Sequence, residues 1–389
     1  MSRILRQRPV AASGKQALRL RRKVLRALKE AGFKINPHVR PSGFSKTTLR
    51  RLQQNARLEQ LAKHRVFLEE YSGQAKHYCR DGREVDPASI DLELREVQRD
   101  SEDEALFRWW NFIWWSIPYQ HPYGRQMRFL LWDKAHDAPF GLLSLQSPVL
   151  RMSVRDRWLG IPNGELDLWV NKSLSAQRVG ALPPYNDLLG GKMVALAMTS
   201  NEVREAYRRK YGGCVSIIEG RELEPDLLFI TTTSAFGRSS LYNRLKYNGE
   251  LVAQCLGYTR GSGTFHVPDS LYEEIIALLA AEGVDVTRGF GHGPSRKLKL
   301  VGLGVSRLGL PSFEYHGIKR EFYLFPLVRN LRDVISRDEK PDWLDRPFDR
   351  LAAYWKHAWA LPRAIRTQGW RDFRSREFFY RTKVILRSA

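Results

Sequence analysis

The chain has 389 residues, a net charge of +22, and 43% apolar and 11% aromatic residues, a globular composition with enough length for one large or two ordinary domains. Its three cysteines, Cys79, Cys214 and Cys255, are odd in number, far apart and form no C-x-x-C pair. That argues for a reducing, cytoplasmic setting and against a structural zinc site. No window reaches the ~18 uninterrupted apolar residues of a membrane span, and the basic N-terminus lacks the apolar segment of a secretion signal.

The charge is uneven. Residues 1–80 hold 20 Lys and Arg against 4 Glu, and residues 340–389 hold 12 against 5 acids, so the 259 residues between them are almost neutral. Basic ends on a neutral middle suit a polyanion, because neutralising phosphates releases counterions. Nucleic acid, DNA or RNA, is the expected partner; an anionic membrane or a merely solvated surface is the alternative.

In chain order, residues 1–14 are basic and expected to fray. Gln16 to Ala31 places Leu18, Val24, Leu25 and Leu28 on a helical stripe among arginines, and Gly32, Pro37 and Pro41 mark a link. Ser45 is the expected N-cap of a longer helix through Leu49, Leu52, Ala56, Leu61 and Leu68. Two basic helices in a row read either as a DNA-binding pair or as an arm packed on the main domain. In this region Arg19, Arg22, Lys23, Arg26, Arg50 and Arg51 are the candidate phosphate contacts.

A boundary is expected near residue 85. Ile90 to Val97 alternates like a half-buried strand, and Ser101-Glu-Asp-Glu104 is a capping box opening a helix with Leu106, Phe107, Trp110 and Ile113. Trp109, Trp110, Trp114 and Trp115 form an aromatic core face in the first reading and a base-stacking platform in the second. Met127 to Asp133 and Phe140 to Gln146 read as a hairpin. Arg155-Asp-Arg-Trp158 is either a local ion-pair network or, through Arg155 and Arg157, a phosphate site.

The stretch from Leu166 to Leu256 organises the rest. Leu166 to Val170 reads as a strand, Gly190-Gly191-Lys192 as a turn opening an apolar helix from Met193 to Tyr211, and Leu227 to Thr233 as a second strand. A short helix around Ser239 to Arg244 follows. Strand, glycine turn, helix, strand is a βαβ crossover with an anion seat at the helix start. Leu251 to Leu256 is a further strand, and Gly257 to Gly263 a loop carrying Arg260. Asp269 or Ser270 caps a helix through Ile276 and Leu279, Ser295 to Leu308 forms another, and Glu314 to Tyr323 alternates toward a final strand. From Pro341 onward Trp343, Trp355, Trp359, Trp370 and Phe373 interleave with Arg366, Arg371, Arg374 and other arginines. That pattern reads as a nucleic-acid or partner-binding tail, or as an arm wrapping the core with its arginines in solvent.

No Walker loop, G-x-S-x-G or H-E-x-x-H is present. Asp156, Asp167, Asp226 and Glu321 are candidate acids for a metal nuclease only because acids are common, so no metal site is assigned.

The order of elements over residues 85–326 is similar to the GNAT acyltransferase superfamily. That resemblance implies acyl-coenzyme A at Gly190, Gly191 and Lys192, and a general acid at Tyr242. Asp187 stands where that family has Arg or Gln, and Lys192 where it has Gly or Ala. Gly124 to Asp133, Arg155 to Gly160, Leu256 to Gly261 and His316 to Arg320 resemble segments of the DruA family. This implies a role in Druantia anti-phage defence beside a large helicase and other system proteins, with no established reaction; self-association stays open. The expected fold is α+β, with a GNAT-like, mostly antiparallel sheet flanked by helices over residues 85–330. A basic helical region, 1–84, precedes it and a basic aromatic tail, 331–389, follows. The readings in order are a nucleic-acid-binding recognition or adaptor subunit, an acyltransferase, and a metal-dependent nuclease.

Overall fold

A computed structural model describes residues 14–35, 38–162, 164–215, 220–222, 224–287, 296–311 and 315–389. Residues 1–13, Pro37, Ser295 and Glu314, which figure in the sequence reading, lie outside the described residues.

Helix α1 (Lys15–Glu30) buries Ala17, Leu20, Val24 and Leu28, a three-to-four spacing that lays one stripe against the protein. The expected link is in fact a small hairpin, β1 (Phe33–Ile35) with β2 (Val39–Pro41). The Ser45 hydroxyl caps α2 (Lys46–Lys63) by accepting from the Thr48 N–H at 3.1 Å, as its position predicts. The single helix expected through Leu68 is broken at His64 and Tyr71 into α2, α3 (Arg65–Glu70) and α4 (Ser72–His77).

The main sheet starts with β3 (Leu92–Glu96). Ser101 then caps α5 (Glu102–Ile113) by accepting from the Glu104 N–H. Glu104 closes the box one residue further back than expected, accepting from the Asp100 N–H at 2.7 Å. The hairpin β4 (Gln126–Asp133) and β5 (Ala138–Gln146) forms as read, and α6 (Ser153–Leu159) follows.

Leu166 to Val170 is not a strand. It forms α7 (Leu166–Asn171), in which the Trp169 indole donates to Glu165 four residues back while Trp169 and Val170 turn inward. Five apolar-rich residues are too few for periodicity to separate strand from helix. The strand begins two residues later as β6 (Ser173–Ala181). The crossover runs through α8 (Gly190–Ala197) and α9 (Asn201–Tyr211), the second capped by the Ser200 hydroxyl, to β7 (Phe229–Thr233). Strands β6 and β7 pair in parallel at Ser173–Phe229, Leu174–Ile230 and Ser175–Thr231. The predicted βαβ unit therefore stands, with its first strand shifted and its helix in two pieces.

A short hairpin, β8 (Lys246–Tyr247) with β9 (Glu250–Leu251), leads to β10 (Gln254–Tyr258). Then come α10 (Asp269–Ala281), α11 (Arg296–Arg307) and β11 (Glu321–Pro326). Pro268, not Asp269 or Ser270, holds the N-cap position of α10; Asp269 lies in the first turn and pairs with Lys63 and Lys297. The seven strands line up as β10-β11-β7-β6-β5-β4-β3, all antiparallel except β6 with β7.

Hydrophobic clusters cross the divisions expected near residues 85 and 330. Leu20, Val24, Leu28, Phe33, Leu49 and Leu52 pack with Leu271, Ile275, Leu279, Leu300 and Val301, so α1 and α2 share a core with α10 and α11. The last 59 residues are an arm wrapped on the core, not a tail free of it. They form α12 (Leu331–Arg337), α13 (Phe348–Trp355), a π-helical turn at Lys356–Ala360, α14 (Leu361–Arg366) and α15 (Ser375–Ser388). Trp355 and Trp370 enter the main core, and Phe379 of α15 stacks on Trp109 at 5.1 Å. Trp109 and Trp110 are buried, so the α5 tryptophans serve the core reading.

Candidate nucleic-acid interface

On α1, Lys15, Arg19, Arg22, Arg26 and Lys29 are exposed and spaced four, three, four and three residues apart. At 100° per residue that row lies opposite Ala17, Leu20, Val24 and Leu28, so burying the apolar stripe sets the cationic one outward. The row is about 21 Å long at 1.5 Å per residue. Among the described residues on α1, only the flanking Lys23 is tied to a carboxylate, Glu274 of α10 at 2.7 Å. Arg19, Arg22 and Arg26 thus fall where the sequence placed them; Lys15 and Lys29 complete the row and were legible from the same spacing. Arg50 and Arg51 are exposed at the start of α2, with the Arg50 guanidinium 5.7 Å from the Phe236 ring.

Arg155 is fully buried. Its guanidinium donates to the Val149 and Leu150 carbonyls and to Asp156, which makes it a clasp for the loop before α6 and leaves no donor facing solvent for a phosphate. Arg157 and Arg260 are exposed on neighbouring elements, since Val154 of α6 lies against Gly257 of β10. Arg366 and Arg371 are exposed, the latter over the Trp370 ring at 5.1 Å, whereas Arg374 is half-buried and donates to the Arg371 and Phe373 carbonyls. On α15 Arg376, one of the tail arginines of the sequence reading, lines up with Tyr380, Lys383 and Arg387 in a second exposed row that the reading did not name.

Two further cations, the half-buried Arg57 and the buried Arg178, belong to the scaffold. Arg57 donates to the Ile113 carbonyl at 2.7 Å, and Arg178 donates to the Asn111 amide oxygen at 2.6 Å and to the Ile117 carbonyl. Arg57 meets the negative end of α5, which offsets a guanidinium without a carboxylate, whereas Arg178 rests on the neutral oxygens of Asn111 and Ile117. Burial lowers Arg178 to about 10, so it still carries its charge at neutral pH.

The structure brings the glycine turn and the Tyr242 segment together, with Gly191 facing Leu241. The turn is shaped by packing. A Cβ on Gly190 would lie 2.7 Å from both the Ala181 Cβ and the Tyr185 carbonyl oxygen. Gly190→Ala is therefore expected to cost about 1–3 kcal/mol through overpacking, seen as a lower denaturation midpoint at unchanged m-value. The Lys192 ammonium sits 4.0 Å from the centre of the Trp359 ring, and burial, then Arg244, lowers its pKa. The Trp355 indole donates to the Leu189 carbonyl, so the C-terminal arm lies over the turn. Tyr242 is buried, hydrogen-bonded to Thr232, and its phenol is pushed up to about 12 by burial. A phosphate seat here would have to share the turn with that arm.

Three of the four segments that resemble the DruA family meet at the β10 edge. The Gly317 N–H donates to the Gly261 carbonyl, the Thr259 N–H to that of Arg320, and α6 lies alongside. Arg125 of the fourth segment ties β4 to the Asn171 carbonyl and to Tyr207. Beside this edge Glu321 is buried and collects the Ser239 N–H at 2.9 Å, the Asn243 amide at 3.1 Å, and the Tyr258 and Tyr323 hydroxyls, with Arg238 Nε at 3.8 Å. Burial alone would raise this carboxyl, but Tyr323, Ser239, Asn243 and Arg238 outweigh it and hold it below the usual range. Sequence reasoning noted Glu321 only as one acid among several; nothing local announces partners that lie 82 and 78 residues back along the chain, at Ser239 and Asn243. Asp156, Asp167 and Asp226 are taken by Arg155, Arg221 and Arg208, and among the described residues no three His, Cys, Asp or Glu gather into a metal site. Nor, among them, is any helix long and apolar enough to cross a membrane.

Fold and surface define the class: an α+β protein with a mostly antiparallel sheet flanked by helices, carrying on α1 a row of cations outside any ion pair among the described residues. The family described as Druantia protein DruA matches residues 44–337, and the Druantia protein DruA of Escherichia coli strain UMEA 4076-1 is 31% identical over 370 residues, 93% of this chain and 91% of its own. The chain belongs to the DruA family, and so is a component of the Druantia type of anti-phage defence. No solved structure matches it.

Proposed function

We propose that this DruA-family protein is the nucleic-acid-holding subunit of its defence system, a recognition or adaptor component that works with a helicase-like partner. The α1 row carries the reading. Five cations on one helix face, opposite a buried stripe and outside any ion pair among the described residues, form a rigid positive line that phosphates can neutralise. Arg366, Arg371 and the α15 row add charge at the other end of the chain. Exposed Ile365 and Tyr380 beside those arginines suit a protein partner as well, since aromatic and Arg side chains are enriched at interfaces.

The test is binding as a function of salt. Fluorescence anisotropy with labelled oligonucleotides is expected to show log affinity falling linearly with log salt, with a slope of about −4.5 for five contacts to duplex DNA and about −3.5 for five to a single strand. A slope near zero, or no binding at low salt, would remove the reading.

A further inference from the structure

We infer that the α1 row holds the phosphate backbone of a duplex rather than a single strand, and does so without regard to base sequence; this rests on the nucleic-acid reading above. Single-strand binding depends on aromatic side chains, each stacked base contributing about 1–3 kcal/mol. Helix α1 contains no aromatic residue. The row is Lys15, Arg19, Arg22, Arg26 and Lys29; it has no Asn or Gln to read adenine, and since Arg and Lys can pair with guanine as well as with phosphate, two duplexes of unrelated sequence test the backbone assignment. What remains is the electrostatic term. Each neutralised phosphate releases about 0.9 counterion from duplex DNA and about 0.7 from a single strand, so five contacts release about one more from the duplex, a preference of about tenfold at 0.1 M salt.

Geometry points the same way. The row is straight, and Leu20, Val24 and Leu28 fix its helix against α10 and α11, so a flexible strand must give up conformational freedom to lie along it. A duplex offers a matching rigid line of phosphates, about one charge per 1.7 Å of axis. The α15 row is different, since Tyr380 stands among its cations and supplies a stacking surface.

The experiment uses the full chain with two duplexes of unrelated sequence, a single strand of equal length, and an RNA duplex. Both DNA duplexes should bind alike and about tenfold tighter than the single strand at 0.1 M salt; the RNA duplex shows whether B-form geometry matters. Arg19→Ala, Arg22→Ala and Arg26→Ala combined should weaken duplex binding at least tenfold and make its salt slope shallower by about 2.7, with a smaller loss and a slope change of about 2.1 for the single strand. All three side chains are exposed and opposite the core, and circular dichroism checks that the variant is folded. Equal or tighter single-strand binding, a strong difference between the two duplex sequences, or equal losses for both strand forms would overturn the assignment while leaving the nucleic-acid reading intact. No salt-dependent binding to any probe would overturn both.

Discussion

Trp109→Ala is expected to lower folding stability by about 3–5 kcal/mol, the range for removing a fully buried aromatic ring from a core. Trp109 has no exposed surface, stacks on Phe379 of α15 at 5.1 Å and 15°, and meets Trp110 edge-on at 5.1 Å. Its indole N–H also donates to the Leu68 carbonyl at 3.0 Å, which fastens α3. One side chain therefore joins α5, α3 and α15, and truncating it leaves both a cavity and an unpaired carbonyl. Trp109→Phe keeps a ring beneath Phe379 but drops the hydrogen bond, so its cost should fall to about 1–3 kcal/mol. Chemical denaturation measures both values, and hydrogen exchange should show α15 amides losing protection in the alanine variant. Unchanged α15 protection would mean that the C-terminal helix is held by something other than its aromatic contacts.

That result bears on how the ends of the chain are to be understood. Interleaved Trp and Arg after Pro341 gave two readings, and burial of Trp355, Trp370 and Phe379 selects the wrapped arm. Sequence could not decide because a Trp that stacks on bases and a Trp that stacks on Phe379 have the same composition signal; the partner lies more than 260 residues away. Local chemistry was far more legible. Ser45 and Ser101 cap the helices they precede because the cap bond spans only three residues. The βαβ crossover was legible from glycine position and apolar length, while its first strand was misplaced because Leu166 to Val170 is short and apolar enough for either state. The α1 row needed only the spacing of its cations. By contrast the glycines at 190 and 191 had two meanings in sequence, anion seat or close packing, and only the approach of Ala181 and Tyr185 to Gly190 reveals the second.

Glu321 is where tertiary structure adds most, and its removal should be nearly as costly as that of Trp109. Three donors, the Ser239 N–H, the Asn243 amide and the Tyr323 hydroxyl, converge on one carboxylate oxygen and tie the loop between β7 and the Tyr242 turn to β11. Glu321→Ala leaves all three without that acceptor, and breaking such a buried charged network costs about 3–5 kcal/mol. Glu321→Gln keeps the shape and one acceptor oxygen but removes the charge, which makes it the variant to follow against pH. The folded carboxyl is held below its ordinary value of 4.5, so its contribution is present in full above that value and is lost as pH falls through the lower folded one. Wild type should therefore exceed Glu321→Gln in stability at pH 7, and the gap should begin to narrow below about 4.5, where the unfolded carboxyl takes up its proton, and vanish only once the pH has fallen through the lower folded value. A gap that stays constant down to strongly acid pH would show that the donors recognise the shape of the side chain and not its charge. Because the clamped loop also carries Arg238, beside Glu321, and Arg244, close enough to Lys192 to lower its pKa, a loosened clamp would release two exposed cations. Duplex affinity through α1 should be unaffected by that change, since the helix is held by a separate core of Leu20, Val24 and Leu28 with α10 and α11.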